Sequence, residues 1–503
     1  MYLHLTDVSY AYEDSPTYAL ETVTATFSEG WTGIVGNNGS GKSTLLKLLC
    51  GIEQPSAGAI RPAPAGVYCA QSTEHVPENL FDFAVDYTPY AVRLRSMLEL
   101  EDEWLWRYDT LSHGERKRVQ IACALSLEPT VLAVDEPTNH LDARTRDVLL
   151  KALASYKGIG LLVSHDRILL DALVGQCLFL DAGHAVLVPG TYTEAKASVD
   201  IRLRTAQAER KHAREQLSKA QAESARRKAV ASRSAARRSG KNLDKHDNDG
   251  RAKLRLAVVS GQDGKTGLLS AQMDKKLEAA RNRLDKAQVK KVYDKPLSIN
   301  AEPSRRRTVA HLDKGSISLG DGRCLRHPEV YVGPTDRIGL RGRNGTGKST
   351  FLKVLLDASA EGVSHLAYIP QEVSSEEGRA VLDALKDMGP AATGEVLSLV
   401  ARLNSPPERI LSGDELSPGE LRKVMLAMGL LERTHLVVMD EPTNHLDLPS
   451  IEALQDVLAQ CPCALILVSH DERFLAALTD TAWTFVEADS HTKQRGDSHL
   501  VIS

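Results

Sequence analysis

An octamer, Asp-Glu-Pro-Thr-Asn-His-Leu-Asp, occurs twice in this chain, at residues 135–142 and 440–447. The offset is 440 − 135 = 305 residues. Each copy follows a short apolar run, Val131-Leu132-Ala133-Val134 and Leu436-Val437-Val438-Met439, the pattern of a buried strand that ends in two carboxylates. Other segments keep the same distance. Leu111-Ser112-His113-Gly114-Glu115 returns as Leu416-Ser417-Pro418-Gly419-Glu420, and Ser164-His165-Asp166 as Ser469-His470-Asp471, both at 305. Gly36-Asn37-Asn38-Gly39-Ser40-Gly41-Lys42-Ser43 returns at 306 as Gly342-Arg343-Asn344-Gly345-Thr346-Gly347-Lys348-Ser349. Gln71 and Gln371 correspond at 300, so one small indel separates them from the rest. Two long units of this kind are homologous domains, about 1–195 and 305–503, and not a solenoid.

Strand-like and helical patterns alternate within each unit. Thr32-Gly33-Ile34-Val35 leads into the first glycine loop and an apolar-periodic helix leaves it from Ser43 to Cys50; Arg337 to Leu340 and Ser349 to Leu356 repeat the arrangement. Strand, loop, helix is the context in which GxxxxGK[ST] cradles phosphate. The fold class is α/β with a mostly parallel sheet.

Residues 196–304 read differently. From Glu194 to Arg238 there is no Pro or Gly, and the composition predicts one helix of about 68 Å at ~1.5 Å per residue. A second helix is expected from about Leu268 to Val292, after Gly240, Gly250, Gly261, Gly264 and Gly267. The two suit an antiparallel hairpin with a stripe of Val199, Leu203, Leu217, Leu277 and Leu284. Residues 191–300 hold 27 Lys+Arg against 13 Asp+Glu, a net +14, whereas the rest of the chain holds 35 against 53, a net −18. A basic middle segment between acidic domains points to a polyanionic partner, and phosphate contacts of that kind weaken with salt.

The loop glycines let backbone amides approach phosphate, and the following helix adds its positive end. Lys42 and Lys348 then neutralise the β/γ-phosphates, and Ser43 and Ser349 place a hydroxyl on Mg²⁺. Asp135 and Asp440 end their strands where they would hold that ion through water. Glu136 and Glu441 come next and would polarise the attacking water. His165 and His470 follow their aspartates at one matched spacing (165 − 135 = 470 − 440) and are expected at the γ-phosphate.

Together these motifs resemble an ATP-binding cassette ATPase. Two cassettes in one chain, the EPTNHLD extension and a charged helical linker resemble the ABC-F family in particular: two P-loop ABC-type ATPase domains joined by a long basic α-helical hairpin. The resemblance implies two ATP molecules held head to tail. Gly36, Asn37, Asn38, Gly39, Ser40, Gly41, Lys42, Ser43, Thr44, Gln71, Asp135, Glu136 and His165 would act with Ser417, Gly419 and Glu420. Gly342, Arg343, Asn344, Gly345, Thr346, Gly347, Lys348, Ser349, Thr350, Gln371, Asp440, Glu441 and His470 would act with Ser112, Gly114 and Glu115. Gln71 and Gln371 would also reach the metal, and Asp142 and Asp447 would face the seam. Both octamers are intact, so two hydrolytic sites are expected.

The copies also differ. Tyr12, ahead of the first glycine loop, is placed to stack on adenine, with Tyr10 as the alternate; Ser316 to Asp321 holds no aromatic, so the second adenine contact is expected to differ. Pro418 has no N–H, so the third signature position donates nothing in the second copy. The short stretch from Gln71 to Ser112 leaves no room for a large arm insertion.

The family resemblance further implies a ribosome-binding monomer whose linker reaches rRNA and tRNA. Tyr192 and Tyr293 are the aromatics near the linker ends, too few for base stacking, so shape and backbone recognition is expected. The contrasting readings are the ATPase subunit of a membrane transporter and a DNA-maintenance ATPase. No apolar run approaches the ~18 residues of a membrane span, and the N-terminus lacks the pattern of a signal peptide. Seven cysteines without a CxxC pair form neither a disulfide framework nor a zinc pattern, and a cytoplasmic location is expected.

Overall fold

The computed structural model describes residues 1–13, 17–139, 141–181, 183–238, 262–286, 299–320, 322–358, 365–411, 416–487 and 497–502. The apolar run of each octamer is a central strand, Val131–Asp135 and Leu436–Asp440, buried at every position. Burial on both faces is what a parallel sheet between layers requires. In the first unit the sheet runs Gly66–Cys69, Val131–Asp135, Ile159–Val163, Gly30–Gly36, Val174–Asp181, His184–Pro189. All neighbours are parallel except the last pair. The second unit repeats this core as Leu366–Ile369, Leu436–Asp440, Ala464–Val468, Arg337–Gly342, Thr481–Glu487, extended to eight strands. The strand that feeds each glycine loop lies beside the strand that feeds each Ser-His-Asp, with the octamer strand next. Three chemically loaded strand ends therefore meet at one edge, where open α/β sheets place ligands.

Leu45, Leu46, Leu48 and Leu49 of the helix Lys42–Leu49 pack on Ala133, Leu161 and Leu178 of the first sheet. Phe351, Leu352 and Leu355 of Lys348–Ala358 do the same on Val438, Ile466 and Trp483. Six of the seven cysteines are buried.

Contacts divide the chain into one unit of residues 1–195 with 293–503 and another of 196–292. The helix Tyr192–Arg238 runs 47 residues and Gln262–Lys286 runs 25. The second starts earlier than the glycines suggest, because Gly264 and Gly267 lie inside it. A helical glycine costs only about 1 kcal/mol against alanine, which a packed partner outweighs. The end of the expected helix, residues 287–292, lies outside the described residues.

Within this unit Ala213, Leu217, Ala220 and Ser224 on one helix and Met273, Leu277, Ala280 and Leu284 on the other are protected at heptad spacing. Arg283 Nη1 donates to Gln216 Oε1 at 3.2 Å. Gln216 lies nearly as far from the helix end at Arg238 as Arg283 does from the helix start at Gln262, the equal arms of an antiparallel pair. Leu203 departs from the expected stripe: it is 40% exposed, more than three turns from that contact and past the last described residue opposite it. Among the described residues no helix is long and apolar enough to cross a membrane.

Candidate functional site

Both glycine loops hold their lysines back against the chain. Lys42 Nζ donates to the carbonyls of Gly36 at 2.9 Å and Asn37 at 3.0 Å; Lys348 Nζ donates to those of Gly342 at 2.8 Å and Arg343 at 3.1 Å. Burial lowers both ammonium pKa values, and neighbouring carboxylates oppose the shift. The loop turns at Gly41 (φ 93°) and Gly347 (φ 95°), and a Cβ at Gly41 would fall 2.6 Å from the Ala19 carbonyl oxygen. Both a left-handed backbone and the close approach of a second chain segment require glycine there.

Tyr12, Asn38, Lys42, Ser43, Thr44, Gln71, Asp135, Glu136 and His165 line one cleft of about 440 Å³, and His445 from the second cassette lines it too. Tyr12 is 45% exposed with its hydroxyl 2.7 Å from Thr44 Oγ1, whereas Tyr10 is buried and donates to Glu53. Of the two tyrosines, Tyr12 is the one that faces a nucleotide-sized space.

Asp135 accepts hydrogen bonds from Ser43 and from the Tyr68 hydroxyl, the latter at 2.9 Å; burial raises its pKa and these donors oppose the shift. In the second cassette Ser349 bonds Asp440, whose Oδ1 is buried with no hydrogen-bond partner. A serine hydroxyl beside a buried carboxylate oxygen with unused capacity fits a hard divalent cation.

Glu136 and Glu441 have left-handed backbones, φ 44° and 48°, and each donates its N–H to the strand carbonyl opposite, Val163 or Val468, at 2.8 Å. Holding a non-glycine residue there stores strain of about 1 kcal/mol or more and aims the carboxylate across the strand end. His165 and His470 stand over them, their backbone amides donating to Glu136 Oε2 at 3.2 Å and Glu441 Oε2 at 3.3 Å. The rings differ. His165 Nε2 lies 2.9 Å from Glu136 Oε1, whereas His470 Nε2 lies 3.4 Å from Glu441 Oε1 and 2.8 Å from Asn344 Oδ1. Burial works against both carboxylates, but His165 and Lys42 bring Glu136 below its ordinary range. Glu441 is pushed up to about 8 by burial, and burial with Lys348 lowers His470 to about 4.

Ser112 and Ser417 cap the helices His113–Ser126 and Pro418–Leu431. Glu115 and Glu420 complete both capping boxes, accepting from the serine amide at 2.8 and 3.0 Å and from its hydroxyl at 2.7 Å in each. The two glutamates, expected with the nucleotide, turn to their own helix ends, because a free N-terminal amide is their nearest strong donor. Gly114 and Gly419 pack on Leu141 and Leu446.

The cassettes meet at the loops. Asp447 caps its own helix, Oδ1 accepting from the Ser450 amide at 2.9 Å, while Oδ2 accepts from the Asn38 amide of the first glycine loop at 2.7 Å. Asn38 Nδ2 donates to the His445 carbonyl and Asn404 Nδ2 to Asn37 Oδ1. At the second loop Asp142 caps Thr145 at 2.9 Å and lies only within 4.0 Å of Arg343 Nε. Among the described residues no hydrogen bond joins Ser417 to the first loop or Ser112 to the second. At the glycine loops the contacts are made by the octamers' last aspartates rather than by the signature serines, and elsewhere Arg167 donates to Gln455 and Asp471 at 3.3 Å and Arg473 pairs with Asp171 at 2.6 Å across the cassettes.

The ABC transporter family profile matches residues 20–139 and 325–444. The tylosin resistance ATP-binding protein TlrC of Streptomyces fradiae is 30% identical over 552 aligned positions, covering 95% of this chain and 96% of that protein. The chain belongs to the ABC-F family. The ribosome protection protein VmlR of Bacillus subtilis is 28% identical, covering 95% of this ABC-F chain and 85% of that protein. In structure, the RNase-L inhibitor covers 98% of the chain and 90% of its own with a TM-score of 0.62 at 19% identity, a likeness of fold.

Two features of this ABC-F protein escaped the motif reading. Tyr68 precedes Gln71 at the spacing at which Tyr368 precedes Gln371, so a repeated Tyr-x-x-Gln was there to be found. Thr138 and Thr443 reach Ser164 and Ser469 at 3.3 and 3.2 Å, which ties each octamer to the serine before its histidine.

Proposed function

We propose that this chain hydrolyses ATP to ADP and phosphate at two composite sites and uses the closure of its cassettes to act on the ribosome, protecting it or adjusting translation. The observation that carries this reading is the presence of two intact octamer sites around a basic helical pair in a chain of which 95% aligns with TlrC and with VmlR. The names of those relatives speak of tylosin resistance and ribosome protection.

In this reading Glu136 and Glu441 accept a proton from the attacking water, and His165 and His470 hold the γ-phosphate side. The backbone amides of residues 37–43 and 343–349 take the phosphate oxygens, with Tyr12 against the adenine. Ser43 with Asp135, and Ser349 with Asp440, would hold Mg²⁺, which offsets phosphate charge when bound; Gln71 and Gln371 would orient beside it. Phosphoryl transfer needs positioning and charge stabilisation more than covalent help.

The chain is read as a monomer of cassettes 1–195 and 305–503 with the linker 196–304 facing rRNA or tRNA. The net +14 of residues 191–300 supports contact with phosphate. Tyr192 is not a base platform: it is 3% exposed, and its hydroxyl donates to Glu452 at 2.8 Å.

The test is the double substitution Glu136→Gln with Glu441→Gln. In ATP at low salt it should sediment with ribosomes and inhibit translation in an extract. A variant that retains ATP yet stays ribosome-free would overturn the ribosomal role.

A further inference from the structure

The two seams are built at equivalent positions that carry different chemistry. At the first, Asn404 Nδ2 reaches Asn37 Oδ1 at 3.1 Å, beside the Asn38–Asp447 bond. Counterparts at the second are Glu99 (404 − 99 = 305) and Arg343 (343 − 37 = 306). The backbone supports the equivalence. Glu99 and Asn404 each follow the leucine that ends a helix, Pro89–Met97 and Pro390–Arg402. Each is left-handed, φ 50° and 61°, and each donates its amide at 3.2 Å to a carbonyl in the last turn, Ser96 or Ala401. A pair of carboxamides in one seam is thus a carboxylate and a guanidinium in the other.

In this structure the charged pair is apart. Glu99 Oε2 takes Arg144 Nη2 at 2.9 Å, and Arg343 Nη1 donates to Glu487 Oε2 at 2.8 Å. Arg144 and Arg343 line the same cleft of about 200 Å³, so the partner of Glu99 shares a cleft with the glycine loop's arginine. The position equivalent to Arg144 is Pro449 (449 − 144 = 305), which leaves Asn404 without a competing cation from that position. The side chains of Glu99, Arg144 and Arg343 are 45%, 63% and 53% exposed. Ion pairs that wet contribute little and exchange readily.

We propose that Glu99 and Arg343 are positioning residues of the second ATP site. When that seam closes, Arg343 exchanges Glu487 for Glu99, and Glu99 releases Arg144. The new ion pair sets the second loop against the first cassette, as the Asn404–Asn37 bond sets the first loop against the second. The inference rests on ATP-dependent closure. Its mark is electrostatic: closure of the second seam depends on salt more steeply than closure of the first.

The test counts ATP retained through gel filtration by the full chain carrying Glu136→Gln and Glu441→Gln, whose expected value is nucleotide at both sites. Glu99→Arg alone and Arg343→Glu alone should each reduce retention to about one site, and Glu99→Arg with Arg343→Glu should restore both. Rescue separates pairing from damage to the loop or to the fold, since only a direct contact is repaired by reversing both charges. Retention at both sites in either single variant, or no rescue in the combined one, overturns the proposal. A parent that retains no ATP instead fails the underlying reading of ATP closure. Raising salt to about 0.5 M should release one nucleotide from the parent, and uniform retention or uniform loss would count against the charged latch.

Discussion

The two nucleotide sites carry the same octamer and yet hold different charge. In the first, His165 stands at 2.9 Å from Glu136 and, with Lys42, keeps that carboxylate ionised despite its burial. In the second, Asn344 draws the His470 ring to 2.8 Å, the histidine is lowered to about 4, and Glu441 rises to about 8. Hydrolysis needs a base that has lost its proton. An intact motif therefore sets which groups are present, while their surroundings, burial first and then the Lys348 charge on His470, set whether they are ready.

The largest expected effect lies in that difference. At pH 7 Glu136→Gln should lower steady-state ATP turnover about 10-fold, because a remaining base that titrates at about 8 is about one-tenth ionised there, and Glu441→Gln should lower it by only about a tenth. The sign follows from the pKa directions: Glu136 is ionised across the neutral range, and Glu441 loses its proton only as the pH rises through its elevated value. Turnover of the Glu136→Gln variant should therefore climb between about pH 7 and 9 while that of Glu441→Gln stays level. Equal losses at pH 7 and parallel pH profiles would erase the distinction between the sites.

A smaller effect is expected at the seam. Asp447→Ala removes a helix cap and a bond to the first loop; Asp142→Ala removes a cap. Losing a cap costs about 1 kcal/mol. Urea unfolding should show Asp447→Ala to be the more destabilising by about another 1.5 kcal/mol, the lower end of the net worth of a hydrogen bond to a charged acceptor, since this one is only partly buried. The smallest effect is at the metal. Tyr68→Phe should shift the Mg²⁺ concentration for half-maximal turnover a few-fold, whereas Tyr368→Phe should change it less, because only Tyr68 donates to its aspartate among the described residues. A larger shift from Tyr368→Phe would reverse the assignment.

Much of this was legible from residues alone because phosphate chemistry restricts its own spelling. A loop that must offer amides and turn tightly needs Gly41 and Gly347, and a strand end that carries Asp135 needs an apolar run before it. The left-handed backbone of Glu136 and Glu441 was not legible, since the residue type argues against it and only the surrounding strand carbonyls hold it. Gly264 and Gly267 misled in the opposite sense: a local breaker signal lost to helix pairing. The capping role of Glu115 and Glu420 is legible in the spacing Ser-x-x-Glu, although the same letters belong to the signature and also suggest nucleotide contact. Glu99 and Arg343 were invisible for another reason. Their counterparts Asn404 and Asn37 are not similar letters, so only shared backbone geometry and a shared place in the chain reveal the correspondence.

Asp447 divides its two oxygens between its own helix and the other cassette's loop. If phosphate takes the Asn38 amide, as the proposed function requires, one of those oxygens lets go and the other need not. The helix Leu448–Ala459 keeps its cap through the change. The moving part at this seam can accordingly be as small as one carboxylate oxygen, with a throw of about 3 Å, the length of a hydrogen bond. A clutch of that size engages and releases without either domain having to loosen.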